Sequence, residues 1–196
     1  MKTFKTVIRT LMVVTIAIFF TLTFFEYKNQ IISQAEASVP KKPNFEHTNN
    51  QQFLDNVLQC VDYVYHKSKD FEKVNVELLL AQAALESGWG DSRFAKVGKN
   101  LFGIRTYDLQ QPHMLPSNTP KKWGVRVYEH ECYSVEHYIK ILNNGSSFED
   151  YRKLREDGIN DPFILVETLG AYASDKDYFP KVKSIIKKIR KEYNIQ

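Results

Sequence analysis

The chain has 196 residues, a formal net charge of +4, 43% hydrophobic residues and 2 cysteines, enough for one compact domain behind a leader. Three of the charges, Lys2, Lys5 and Arg9, stand at the amino terminus, and without them 24 of the 27 basic residues face 23 acidic ones. A near-neutral remainder gives no support to nucleic-acid binding, and two cysteines are too few for a disulfide framework.

An apolar stretch from Leu11 to Phe25 follows those charges and ends at Glu26 and Lys28. Positive residues ahead of a hydrophobic segment orient it with its amino end in the cytoplasm. Residues 1–28 are therefore expected to anchor the chain in the inner membrane, with the remainder on the periplasmic or extracytoplasmic side. The competing reading is a cleaved signal peptide and a secreted product, because Ala35-Glu36-Ala37 resembles a small-x-small cleavage site. Residues 29–47, polar and carrying Pro40 and Pro43, read as a tether.

The domain is expected over 48–196. Phe53, Leu54, Val57, Leu58, Val61, Val64 and Tyr65 recur at helical spacing. Asn75 then caps a helix through Val76, Leu78, Leu79, Leu80, Ala83 and Ala84, apolar nearly all round and so expected at the domain centre. Gly88 supplies its stop. Asp91 is expected to cap a short helix over Ser92 to Val97, ended by Gly98. Leu101 to Tyr107 and Val125 to Tyr128 alternate as strands, separated by a proline-containing excursion, Asp108 to Trp123. Helices resume at Ser134, near Phe148 to Leu154, after Asp161 and from Tyr178 onward. The sum is an α+β fold, mainly helical with a small β-hairpin insertion.

Cys60 and Cys132 are open to two readings: a disulfide in an oxidising compartment, or a small buried core residue at Cys60. Lys181, Lys183, Lys187, Lys188, Arg190 and Lys191 cluster near the C-terminus. They read as a solvated helix face favoured by the dipole, or as an accessory contact to an anionic wall or membrane. His113, His130 and His137 with Cys132 lack metal-ligand spacing, so no metal and no cofactor are expected.

The most informative run is AQAALESGWGDSRFAKVGKNLFGI, Ala81 to Ile104. Glu86 closes its apolar helix, followed by Gly88, Trp89 and Gly90. A charge at the dry end of a helix is costly without a task, and burial lets a carboxylic acid keep its proton near neutral pH. That makes Glu86 a candidate acid catalyst; the bland alternative is a helix-end glutamate paired with Arg93 or Arg105. Trp89, Phe102, Tyr107, Trp123, Tyr128 and Tyr172 offer ring faces to sugars, or simply pack. Asn100 either meets an acetamido group or holds a turn.

Together with GVRVYEHECYSVEHYIKIL and LGAYASDKDYFPKVKSII, in the same order, this run resembles glycoside hydrolase family 73. These are the endo-β-N-acetylglucosaminidases of autolysins and flagellar rod hydrolases, and the chain looks most like the Bax group within them. The resemblance covers about residues 50–192 and implies a lysozyme-like fold. It implies cleavage of β-1,4 bonds after N-acetylglucosamine in peptidoglycan glycan strands. It makes Glu86 the general acid and Tyr172 a catalytic-subsite residue, and it puts Asn100, Phe102 and Gly103 on the cleft wall. Trp89, Tyr107 and Tyr128 complete the expected substrate contacts.

One departure concerns the second catalytic group. Several family members carry a second glutamate in the insertion; here TYDLQQPHMLPSNTPKKWG contains none. Asp108, Glu129 or the substrate's own acetamido oxygen remain for that role, and the separation of two carboxyl groups separates retaining from inverting chemistry. Two other functions stand beside hydrolysis, a lytic transglycosylase and a non-catalytic glycan-binding domain. The sequence carries no signal for oligomeric state.

Overall fold

In the computed structural model the residues described are 12, 18–31, 39–68, 73–117, 122–170, 172, 175–193 and 195. The leader charges Lys2, Lys5 and Arg9 and the cleavage-like Ala35-Glu36-Ala37 lie outside them. The chain divides into two units, Met1–Pro40 and Lys41–Gln196.

In the first unit residues 18–31 are helical (α1). Phe19, Phe20, Leu22, Phe24 and Phe25 on it are all exposed. Among the described residues no helix is long and apolar enough to cross a membrane.

The second unit is built around α3, Val76–Ser87. Its Leu78, Leu79, Leu80, Ala81, Ala83 and Ala84 are fully buried, as an all-round apolar helix requires. Asn75 caps it by accepting from the Leu78 amide at 2.9 Å, and its own amide donates to the Asn160 carbonyl at 2.7 Å. Helix α2, Asn50–Lys67, packs on α3 and on α5, Glu131–Asn144. Helix α8, Tyr178–Glu192, packs along α3 on another side. Arg190 fastens α8 to α3 through a two-pronged pair with Glu77, at 2.7 and 2.6 Å. Between α5 and α8 run α6, Glu149–Glu156, and α7, Pro162–Leu165, the latter capped by Asp161 with proline at its start.

A disulfide joins Cys60 on α2 to Cys132 at the start of α5, closing a separation of 72 residues. Both sulfur-bearing residues are also fully buried, so the two readings of Cys60 are both met. Residues at the end of the expected tether lie on this unit. The Pro43 carbonyl accepts from His130 at 3.0 Å and the Glu46 carbonyl from Asn56 at 2.9 Å. Phe45 and His47 meet Phe53 edge to face.

Local details depart from the sequence expectations. Helix α4, Arg93–Lys96, is capped by Ser92, which accepts from the Ala95 amide at 3.1 Å. Asp91 is not the cap: the turn after α3 still holds it through its amide on the Gly88 carbonyl, and its carboxylate pairs with Lys96. Helix α5 begins at Glu131 rather than Ser134 because His130 caps it, its Nδ1 accepting from the Cys132 amide.

The insertion is a three-stranded antiparallel sheet, not a two-stranded hairpin: β1 Arg105–Thr106, β2 His113–Met114 and β3 Gly124–Arg126 in the order β1-β3-β2. The excursion itself supplies β2, with His113 opposite Arg126. Residues 101–104, at the start of the strand expected over Leu101 to Tyr107, form a bend and irregular backbone instead.

Candidate active site

Glu86 sits in the last turn of α3, half-buried. Burial raises its carboxyl pKa above the ordinary glutamate value, and the Tyr178 hydroxyl pulls partly the other way. The cations named as its possible partners are engaged elsewhere. Arg93 donates to the Leu115 carbonyl at 2.8 Å, and the Arg105 guanidinium lies 4.2 Å from the centre of the Trp123 ring. Glu86 is thus a half-buried carboxyl group on which Tyr178 and Tyr172 bear.

The turn beyond α3 positions it. Gly88 takes the left-handed conformation at φ 58°, and Trp89 follows at φ 59°. At Gly90, φ is 86° and an added Cβ would come within 2.6 Å of the His47 ring, so no other residue fits without displacing His47. Trp89 turns to pack against Phe53 and Tyr193, with Lys188 over its ring. Those contacts hold one side of a half-exposed ring.

Opposite Glu86 runs the loop 100–104. Gly103 adopts φ 62°, and a Cβ there would lie 3.8 Å from a Glu86 oxygen. The backbone conformation, rather than lack of space, calls for glycine. Asn100 holds this loop and is itself buried. Its amide donates to the carbonyls of Ile104 at 3.0 Å and Arg126 at 2.8 Å, and its oxygen accepts from the Phe102 and Ile104 amides. All four of its hydrogen-bonding positions are used, so nothing remains for an acetamido group. The Phe102 ring is likewise buried, stacked on Tyr138 at 4.2 Å between centroids. Sequence reasoning placed Asn100 and Phe102 on the cleft wall; they build that wall from behind.

Tyr172 donates to the Phe102 carbonyl at 2.9 Å. Burial, then Glu86, Tyr178 and Tyr128 in that order, hold its hydroxyl pKa well above normal, which puts all three within electrostatic reach of it. Tyr128 shares a hydrogen bond of 2.7 Å with His137 and lines an open groove of about 490 Å³ with Arg126, Glu129, His137 and Lys140. Tyr107 is 73% exposed. Asp108 is exposed too, its carboxylate accepting from the Gln110 amide in a tight local turn. Glu129 is exposed, whereas Glu131 is buried against Lys99 at 3.0 Å. Among the described residues the one cluster of ligand-type side chains is Cys60, His130 and Cys132, and both sulfurs are consumed in the disulfide.

Sequence reasoning missed three residues. Tyr178 bears on the Glu86 carboxyl, and behind it stand Gln82 and Tyr138. The available signal was Gln82, a polar residue four positions before Glu86 on the same helical face of an apolar helix.

A glucosaminidase family model, described as mannosyl-glycoprotein endo-beta-N-acetylglucosaminidase, matches residues 63–191. The chain is 32% identical to the peptidoglycan hydrolase FlgJ of Vibrio parahaemolyticus over 128 residues, 59% of this chain and 41% of that protein. It is 27% identical to the exo-glucosaminidase LytG of Bacillus subtilis over 148 residues, 70% and 51% of the two. The chain therefore spans about half the length of these curated relatives. The catalytic domain of the autolysin Auto from Listeria monocytogenes superposes with a TM-score of 0.55 and 26% identity, covering 83% of this chain and 94% of that one. The glycoside hydrolase domain of Salmonella typhimurium FlgJ gives 0.53 and 25%, covering 73% and 89%. With the matched residues including Glu86, Gly103, Tyr172 and Tyr178, the chain belongs to the glucosaminidase family, glycoside hydrolase family 73, and has its lysozyme-like α+β fold.

Proposed function

We propose that this chain hydrolyses β-1,4 bonds after N-acetylglucosamine in peptidoglycan, with Glu86 as the general acid. The observation that carries this reading is a half-buried carboxyl whose pKa burial raises and on which, among the described residues, tyrosines bear. Such a group keeps its proton at a pH where an exposed glutamate has lost it, and can deliver that proton to a leaving glycosidic oxygen. The named activities of FlgJ and LytG and the family description support the same class of substrate and bond.

For the second group we favour the substrate's acetamido oxygen. Asp108 is solvated and tied into its own turn, and Glu129 is exposed to solvent. Asp108→Asn keeps the turn oxygen and is expected to retain activity within about 10-fold; a loss of about 10²-fold or more would assign Asp108 as base or nucleophile instead.

The site of action is outside the cytoplasm, a reading supported by the disulfide. The exposed phenylalanines of α1 support its insertion in lipid as an anchor. The deciding experiment is mass spectrometry of peptidoglycan fragments released by the full chain and by Glu86→Gln. Reducing N-acetylglucosamine ends that depend on Glu86 are expected. Anhydro-muramic ends would identify a transglycosylase, and an absence of Glu86-dependent fragments would leave a glycan-binding domain.

A further inference from the structure

Gln82 is fully buried in the middle of α3, one helical turn before Glu86. A buried amide is retained where its donors and acceptors are both matched. The Tyr138 hydroxyl, on α5, donates to Gln82 Oε1. Gln82 Nε2 in turn donates to the Tyr178 hydroxyl oxygen, on α8, at 2.6 Å. An amide nitrogen only donates, so the Tyr178 oxygen is the acceptor there and its own proton is free to point away. The charged group on which it bears electrostatically is the Glu86 carboxylate. Two hydrogen bonds thus run in one direction, Tyr138 to Gln82 to Tyr178, and leave the Tyr178 proton available to Glu86. The far end is immobilised by the stack of Tyr138 on Phe102, whose carbonyl is held by Tyr172.

We infer that Gln82 and Tyr138 are positioning residues that hold the Tyr178 hydroxyl proton on the Glu86 carboxylate and so fix where that carboxyl group stands. The inference rests on Glu86 being the acid of the proposed hydrolysis. Its chemical consequence is a brake on burial. Desolvation alone raises the Glu86 pKa, while a donor to the ionised form lowers it. The titratable groups that bear on Glu86 are Tyr178 from α8 and Tyr172 from the segment before it. Both hydroxyls have pKa values pushed far up by burial first, so both remain protonated donors throughout the working range. The line of donors sets how far the acid's pKa climbs and keeps it aimed through turnover.

The test uses the full chain in detergent micelles, with glutamate 13Cδ shifts followed against pH and the Glu86 signal identified by its loss in Glu86→Gln. The same preparations give pH–rate profiles on peptidoglycan. Tyr178→Phe and Gln82→Met are expected to raise the Glu86 midpoint and to carry the alkaline limb of activity up with it. The catalytic constant falls on the order of 10-fold, with KM little changed. Tyr138→Phe, which keeps the ring stack and deletes only the first donor, gives a smaller shift in the same direction. It carries the test if Gln82→Met fails to fold. Tyr65→Phe is the control: it deletes a hydroxyl that accepts from the Val74 amide, and lowers Tm without moving the midpoint. Folded variants with an unmoved midpoint, or an equal shift in Tyr65→Phe, overturn the relay. If midpoints move but the wild type releases no Glu86-dependent fragments, the relay stands and the hydrolase reading falls. If fragments appear and midpoints do not move, the reverse holds.

Discussion

At the scale of single residues, Glu86 is held where its ionised form is disfavoured, and that has a consequence for stability. Its pKa in the fold is raised. The contribution it makes is therefore fully present below its unfolded pKa, and is lost as pH rises through the higher folded value. Glu86→Gln removes the charge and keeps the volume, so the variant is expected to melt above wild type at pH 7, the gap closing toward pH 4. Thermal unfolding at both values checks this; a variant less stable than wild type at pH 7 contradicts the desolvation argument. Asn100 is the opposite case, a residue whose worth is structural. Asn100→Ala abandons two buried amides and two carbonyls at the Phe102–Ile104 loop and at Arg126, a cost of about 2 kcal/mol or more. Urea unfolding is expected to register that loss. Unchanged stability with a raised KM would return Asn100 to the substrate.

Elements owe their positions to a few ties between distant stretches of chain. The disulfide clamps α2 to the start of α5. In the chain-entropy account a closed loop of that length is worth about 4 kcal/mol. Cys132→Ser is expected to lose most of that in a denaturant titration, and reductant to bring wild type down to the same midpoint; a loss under about 1 kcal/mol would mean that α2–α5 packing holds the pair unaided. Helix α3 was the most legible element, because its apolar run, its Asn75 cap and the Gly88 stop are all local signals. The start of α5 was less so, since a histidine cap is an uncommon signal and Ser134 faces inward, its hydroxyl bonded back to the Glu131 carbonyl. Strand β2 was hidden in the excursion for a similar reason: its two residues carry no alternation of their own and are recruited by β3.

For the whole molecule, two features bear on where it works. The apolar side chains of α1 are exposed, and much of the basic face of α8 is matched by acids: Lys181 with Asp175, Lys183 with Glu167, Lys188 with Glu192 and Arg190 with Glu77. Paired charges bind an anionic surface weakly. Hence the full chain is expected to sediment with membranes and to be released by detergent, not by high salt. Release by salt alone would transfer the attachment to α8.

Sequence alone determined the helical order, the central place of α3, the family and Glu86 as the residue to watch. Periodicity, capping and glycine stops act over a few residues, and the motifs are contiguous. Tertiary structure decided which neighbours Glu86 has. Gln82 meets Tyr178 across 96 positions and Tyr138 across 56, distances over which no local pattern operates. The same holds for Trp89 and Asn100. Their residue types suit a sugar-binding wall, but the direction of each side chain is set by packing. That packing turned one toward Phe53 and Tyr193 and the other into its own loop.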